Sequence, residues 1–225
     1  MNRSWKAVRN IGGIVLWSVL IIFCAIHRNE MTPEAIAASV SGNPWLAAAV
    51  LLAMFALKSV SVFFYAGILY AASGILFPLP IAVLVNLCGT AIMTTLQYCI
   101  GRRLGANAVQ TVVNKFPKVA ILREMRGEND FWFSFLSRAN GVLPSDVVSF
   151  YMGAIRLRLP QYLAGCLLGM LPTNLTFPLM GMNIRQPGSA DFLTALSVQV
   201  IYSVISVAVF LLIRKRKRKT DGGSE

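Results

Sequence analysis

Residues 133–153 read FSFLSRANGVLPSDVVSFYMG, and the fold turns on how they are read. The stretch is apolar and as long as a membrane crossing, which takes about 20 residues. Yet it carries Arg138 and Asp146, with Gly141 and Pro144 between them. Proline removes a backbone donor and clashes with the preceding turn, and glycine loosens a helix further. The segment therefore predicts two half-helices with a break between them. Irregular backbone at membrane depth survives only where protein or a wet cavity surrounds it. Each charge costs about 2.5–3.5 kcal/mol at a helix centre on insertion scales, so both are expected to be paired or functional. On one continuous helix they would stand about 12 Å apart. A reversal at Gly141 and Pro144 brings guanidinium and carboxylate within reach. The plainer alternative is that Ser145 or Asp146 caps the half-helix after Pro144, and that an Arg138–Asp146 pair only holds the hairpin shut.

The whole chain agrees with a membrane setting. Of its 225 residues 56% are apolar and 13% charged, where soluble domains hold about 25% charged residues. Mean hydropathy is +0.64. The formal charge of +12 does not indicate nucleic acid, because the basic residues lie between apolar blocks, as inter-span loops do. Cys24, Cys88, Cys99 and Cys166 sit inside apolar runs and read as packed thiols; His27 is the one histidine. No metal cluster, cofactor motif or nucleophile–base set is visible, so no enzyme is expected.

Arg3, Lys6 and Arg9 precede the apolar run 11–26, which no small-x-small cleavage site follows, and a retained first span is expected. Further apolar blocks occupy 44–57, 59–77, 80–100, 131–155, 160–182 and 192–213. The basic residues cluster in the N-terminal arm, in loop 101–130, at Arg156 and Arg158, and in the run RKRKRK at 214–219. Positive loops stay on the cytoplasmic side. Loop 101–130 and Arg156/Arg158 then share a side, so 131–155 enters the membrane and returns. Block 44–77 is read the same way from the other side, with Lys58 at its tip, because 14 residues of helix reach only about 21 Å against a core of about 30 Å. Arg102 and Arg103 in GRRLG mark the inner end of a span and offer interfacial lipid contact. The reading gives an N-terminal arm and first span (1–30), a membrane domain (31–190) with hairpins at 44–78 and 131–157, a last span (191–213) and a basic cytoplasmic tail (214–225).

The two hairpin regions match at an offset of 80. Phe55, Lys58, Val62, Pro80, Leu87, Gly89 and Gly101 fall opposite Phe135, Arg138, Val142, Pro160, Leu167, Gly169 and Gly181. Each is preceded by a stretch suited to an interfacial helix, 31–42 and 106–116. An inverted repeat with broken helices meeting near the midplane is the geometry from which transporters build substrate sites.

Phe135, Arg138, Pro144, Asp146, Ser149 and Gly153, continued by Pro160, Tyr162, Gly165, Gly169 and Pro172, resemble the DedA superfamily, also called the SNARE-associated Golgi protein family, which shares the VTT domain. AGILYAASG and GRRLG in the first half fit the same pattern, and the similarity covers about residues 30–190. The resemblance implies two opposed re-entrant hairpins with about four full transmembrane helices, and a role in moving lipids across the bilayer. It also implies coupling to the proton motive force through membrane acids. Asp146 matches the second-hairpin position, but no Asp or Glu occurs between Glu34 and Glu124, so proton coupling of the usual kind lacks its first acid. Lys58 stands in that region instead.

The expectation is thus an all-α polytopic membrane protein with both termini cytoplasmic, in a bacterial cytoplasmic membrane. It would act as a flippase or scramblase for a phosphate-bearing anionic lipid. Arg138 and Lys58 would hold the phosphate, with Asp146 occupying Arg138 between cycles. A carrier of a small solute and a non-transporting assembly factor remain alternatives, and homo-oligomerisation is left open.

Overall fold

The computed structural model describes residues 42–60, 65–105, 129–139 and 144–221. The predicted first span at 11–26, the interfacial stretches 31–42 (but for Gly42) and 106–116, and Gly141 lie outside these residues. Within them the chain forms helices and no strand. They are α1 (Pro44–Lys58), α2 (Ala66–Leu76), α3 (Leu79–Leu104), α4 (Asp130–Ala139), α5 (Ser145–Ala154), α6 (Leu159–Gly169), α7 (Leu171–Met182) and α8 (Ala190–Asp221).

Local chemistry sets the ends. The Asn43 side chain accepts from the backbone N–H groups of Trp45 and Leu46 at 3.0 and 3.3 Å, with Pro44 at the first helical position. Asn129 repeats the device for α4, accepting from Phe131 N–H at 2.9 Å. Lys58 closes α1 and Pro144 opens α5, so both predicted hairpin regions are helix–break–helix units. Gly105, at φ 71°, stops α3 in a conformation other residues resist.

One boundary differs from expectation. Block 160–182 is not one rod. It divides at Met170 into α6 and α7, bent by 43°. Pro172, in the first turn of α7, has no N–H to offer the carbonyl of Leu168, and the ladder breaks there. α8 continues through the basic run to Asp221; lysine and arginine are good helix formers.

At 26 residues, α3 reaches about 39 Å and is long and apolar enough to cross a membrane alone. The bent α6–α7 pair passes the same test as a unit, and α1, α2 and residues 190–205 of α8 are shorter apolar helices. About four full spans were expected; the described residues supply α3 and the α6–α7 pair by this measure.

The offset of 80 is written into the packing. α1 lies on α3 and α4 on α6, while α2 lies on α7 and α5 on α3. Each half thus lends its second hairpin arm to the long helix of the other. At both exchanged crossings backbone meets backbone. A Cβ at Gly74 would stand 2.0 Å from the Pro178 carbonyl oxygen, and one at Gly153 would stand 2.0 Å from that of Tyr98. Two apolar cores result. Leu51, Phe55, Leu69 and Tyr70 anchor one; Val148, Tyr151, Met152 and Tyr162 anchor the other.

Candidate functional site

Lys58 and Arg138 end equivalent helices, and both are buried, at 4% and 7% exposure. Their surroundings differ. Arg138 has five N–H donors, and all five are used. Nε donates to Cys166 Sγ at 3.2 Å, Nη1 to the carbonyl and the hydroxyl of Ser145, and Nη2 to the hydroxyls of Ser149 and Tyr162. The acceptors come from α5 and α6, the rest of its own repeat. Eighty residues earlier the corresponding positions hold Tyr65, Leu69, Ala82 and Asn86. Most of that cage is therefore missing around Lys58, and its amine reaches into the other half. Lys58 Nζ meets Asp146 Oδ2 at 2.7 Å.

This pairing replaces the expected one. Asp146 is held by Lys58 and by Gln97, whose Nε2 donates to Oδ1 at 2.7 Å. Among the described residues no ion pair joins Arg138 to a carboxylate. Hydroxyls and a thiol in one turn of α5 and α6 satisfy a planar five-donor fork more completely than one carboxylate, which leaves Asp146 for Lys58. Helix polarity helps as well. A cation closes α1 and an anion sits in the first turn of α5, the favoured sign at each terminus. The alternative capping role also fails: no side chain caps α5, and the Ser145 hydroxyl serves Arg138.

Gln97 was missed by the sequence reading, and a signal for it exists. Asn86, Thr90, Thr94 and Gln97 occur at spacings of 4, 4 and 3 in an apolar block, which places them on one face of a helix. All four are fully buried. The stripe stitches the halves together. Tyr70 hydroxyl and Thr90 hydroxyl lie 3.0 Å apart, Thr90 donates to Asn174 Oδ1 at 3.1 Å, and the Tyr162 hydroxyl donates to the Thr94 carbonyl at 3.1 Å.

The remaining predicted residues fall outside this centre. Arg102 and Arg103 are exposed in the last turn of α3, Arg102 donating to the Tyr98 hydroxyl at 3.1 Å. Pro144 precedes α5 as expected. Cys166 is buried, whereas Cys88 and Cys99 are exposed on α3 rather than packed.

A family model described as the VTT domain matches residues 64–183, just over half of the chain. The chain belongs to the VTT-domain family. This is the domain of the DedA and SNARE-associated Golgi proteins, a family of candidate membrane transporters. No curated protein and no solved structure matches the chain. The VTT-domain match takes in Gln97, the whole Arg138 cage and Asp146, and begins six residues after Lys58.

Proposed function

We propose that this VTT-domain protein moves an anionic, phosphate-bearing lipid across the bilayer, with the headgroup exchanging for Asp146 on Lys58. The single observation behind this reading is the Lys58–Asp146 pair, a buried lysine on a partly buried aspartate (4% and 14% side-chain exposure), joining the end of α1 to the start of α5 across the two halves. Taking two charges out of water costs several kcal/mol per ion, and an apolar pair of similar volume is often as stable or more so. Such a pair is explained by a task. Arg138, caged by neutral acceptors, keeps its positive charge beside the pair and adds to the attraction for an anion. In this reading α1–α2 and α4–α5 are re-entrant hairpins entering from opposite leaflets, and α3 and α6–α7 are the spans against which they pack. The acyl or prenyl chains stay in the bilayer, so only the headgroup is desolvated. The chain acts as a transporter and not as an enzyme, with membrane lipid as its partner.

The test is reconstitution of the full chain in liposomes with a panel of headgroup-labelled lipids, with and without a pH gradient. Wild-type protein is expected to redistribute anionic lipids, and Lys58→Gln to slow this at least about tenfold, the worth of one charged contact. Wild-type rates from folded Lys58→Gln would remove Lys58 from the site. Uptake of a soluble anion without lipid movement would favour a solute carrier. Full transport after exchanging the two residues (Lys58→Asp with Asp146→Lys) would reduce the pair to a fold determinant.

A further inference from the structure

Gln97 has a second end. Its Nε2 is fixed on Asp146 Oδ1, but its Oε1 is buried with no hydrogen-bond partner among the described residues. The side chain is fully buried. An orphaned buried acceptor is costly, and native structures hold few of them. The amide is rigid and planar, so the bond from Nε2 keeps Oε1 beside the same carboxylate. Donors are spoken for in this centre: all five of Arg138 are bonded and Lys58 is on Asp146. What the site offers unused is an acceptor. When a phosphate takes Lys58, Asp146 Oδ2 is vacated as well, which leaves two unused acceptor oxygens, Asp146 Oδ2 and Gln97 Oε1, on one hydrogen-bonded pair of side chains. Asn86 Oδ1, the other orphan, lies on the same helix 11 residues away; its Nδ2 donates to the Tyr70 carbonyl rather than to a carboxylate, and it offers no such pair.

We infer that Gln97 is a specificity-determining residue of this site: with Asp146 it takes a hydrogen-bond donor, a hydroxyl or an ammonium, carried by the headgroup next to its phosphate. The inference rests on the lipid-transport reading and narrows its substrate class to donor-bearing headgroups. Two monoanionic lipids with the same acyl chains separate the two. Phosphatidylglycerol carries hydroxyls, and phosphatidylmethanol carries none. In proteoliposomes of the full chain, wild type is expected to move phosphatidylglycerol about tenfold faster, the worth of about one hydrogen bond. Gln97→Met, similar in volume and without an amide, is expected to abolish the difference between the two lipids, over and above any loss common to both from freeing Asp146. Equal wild-type rates for the two lipids, or one common factor of loss for both in Gln97→Met, would overturn the inference and leave Gln97 as a support for Asp146. Absence of any lipid movement by wild type would overturn the parent reading with it.

Discussion

Arg138 and Lys58 occupy equivalent places and carry different loads. Arg138 joins α4 to α5 and α6 through five hydrogen bonds. Arg138→Lys keeps the charge but has three donors on a point-like head. At least two bonds to a charged group are lost, each worth about 1.5–3 kcal/mol, and thermal unfolding in detergent should show a drop of several degrees. Lys58→Met alone takes the cation from a partly exposed Asp146, which keeps its bond from Gln97, and should cost about 1–3 kcal/mol. Lys58→Met with Asp146→Asn removes both charges while leaving an oxygen for Gln97. The double variant should recover most of that stability in the same melt and still fail to move lipid. Of this centre, the sequence showed which residues were charged and where the backbone broke. It did not show the partners, because an arginine, a lysine and one aspartate at converging breaks can pair in two ways. The choice lay in neutral residues on other helices: Ser149, Tyr162 and Cys166 around Arg138.

At the scale of elements, two kinds of helix contact appear. At the α3–α5 and α2–α7 crossings a glycine of one helix sits on the backbone of the other, as small-residue crossings in membranes require. A methyl at Gly153 has nowhere to go, since the Tyr98 carbonyl and the Arg102 N–H both lie within 3 Å of it. Gly153→Ala should cost about 1–3 kcal/mol or more by overpacking. Gly188→Ala, with nothing within 4 Å of the added carbon, should melt like wild type. Equal melting of the two variants would show that α5 can stand off from α3 without loss. Breaks at Pro144 and after Lys58 were legible because proline, glycine and charge interrupt an apolar run. The bend at Met170 was not, because Pro172 in a strongly apolar block reads as a tolerated residue until its helix is seen to end.

For the whole molecule, the proposed inverted arrangement makes a topological demand. Asn43 and Asn129 cap α1 and α4, and each is followed within three residues by an exposed tryptophan, Trp45 at 85% and Trp132 at 56%. Indoles in such places suit the two membrane–water interfaces. In a cysteine-free background, Trp45→Cys and Trp132→Cys should react with an impermeant maleimide from opposite faces of sealed vesicles. Reaction from one face would dissolve the inverted repeat. Cys88 and Cys99, exposed on the long apolar helix α3, should react with a bilayer-soluble thiol reagent and resist the impermeant one.

Composition and charge placement pointed to a helical membrane chain with two interrupted segments, since long apolar runs satisfy their backbone in a bilayer as helices and charge within them is costly. The offset of 80 announced the repeat, because Lys58 and Arg138, two prolines and several glycines recur in register. Which half supplies which contact was settled only in three dimensions. The second arms are exchanged between halves, and that exchange sets α5 against α3, where Gln97 and Lys58 reach Asp146. No local rule could choose that partner. The carboxylate and the amine lie 88 residues apart, and their meeting depends on the close approach that two glycines allow.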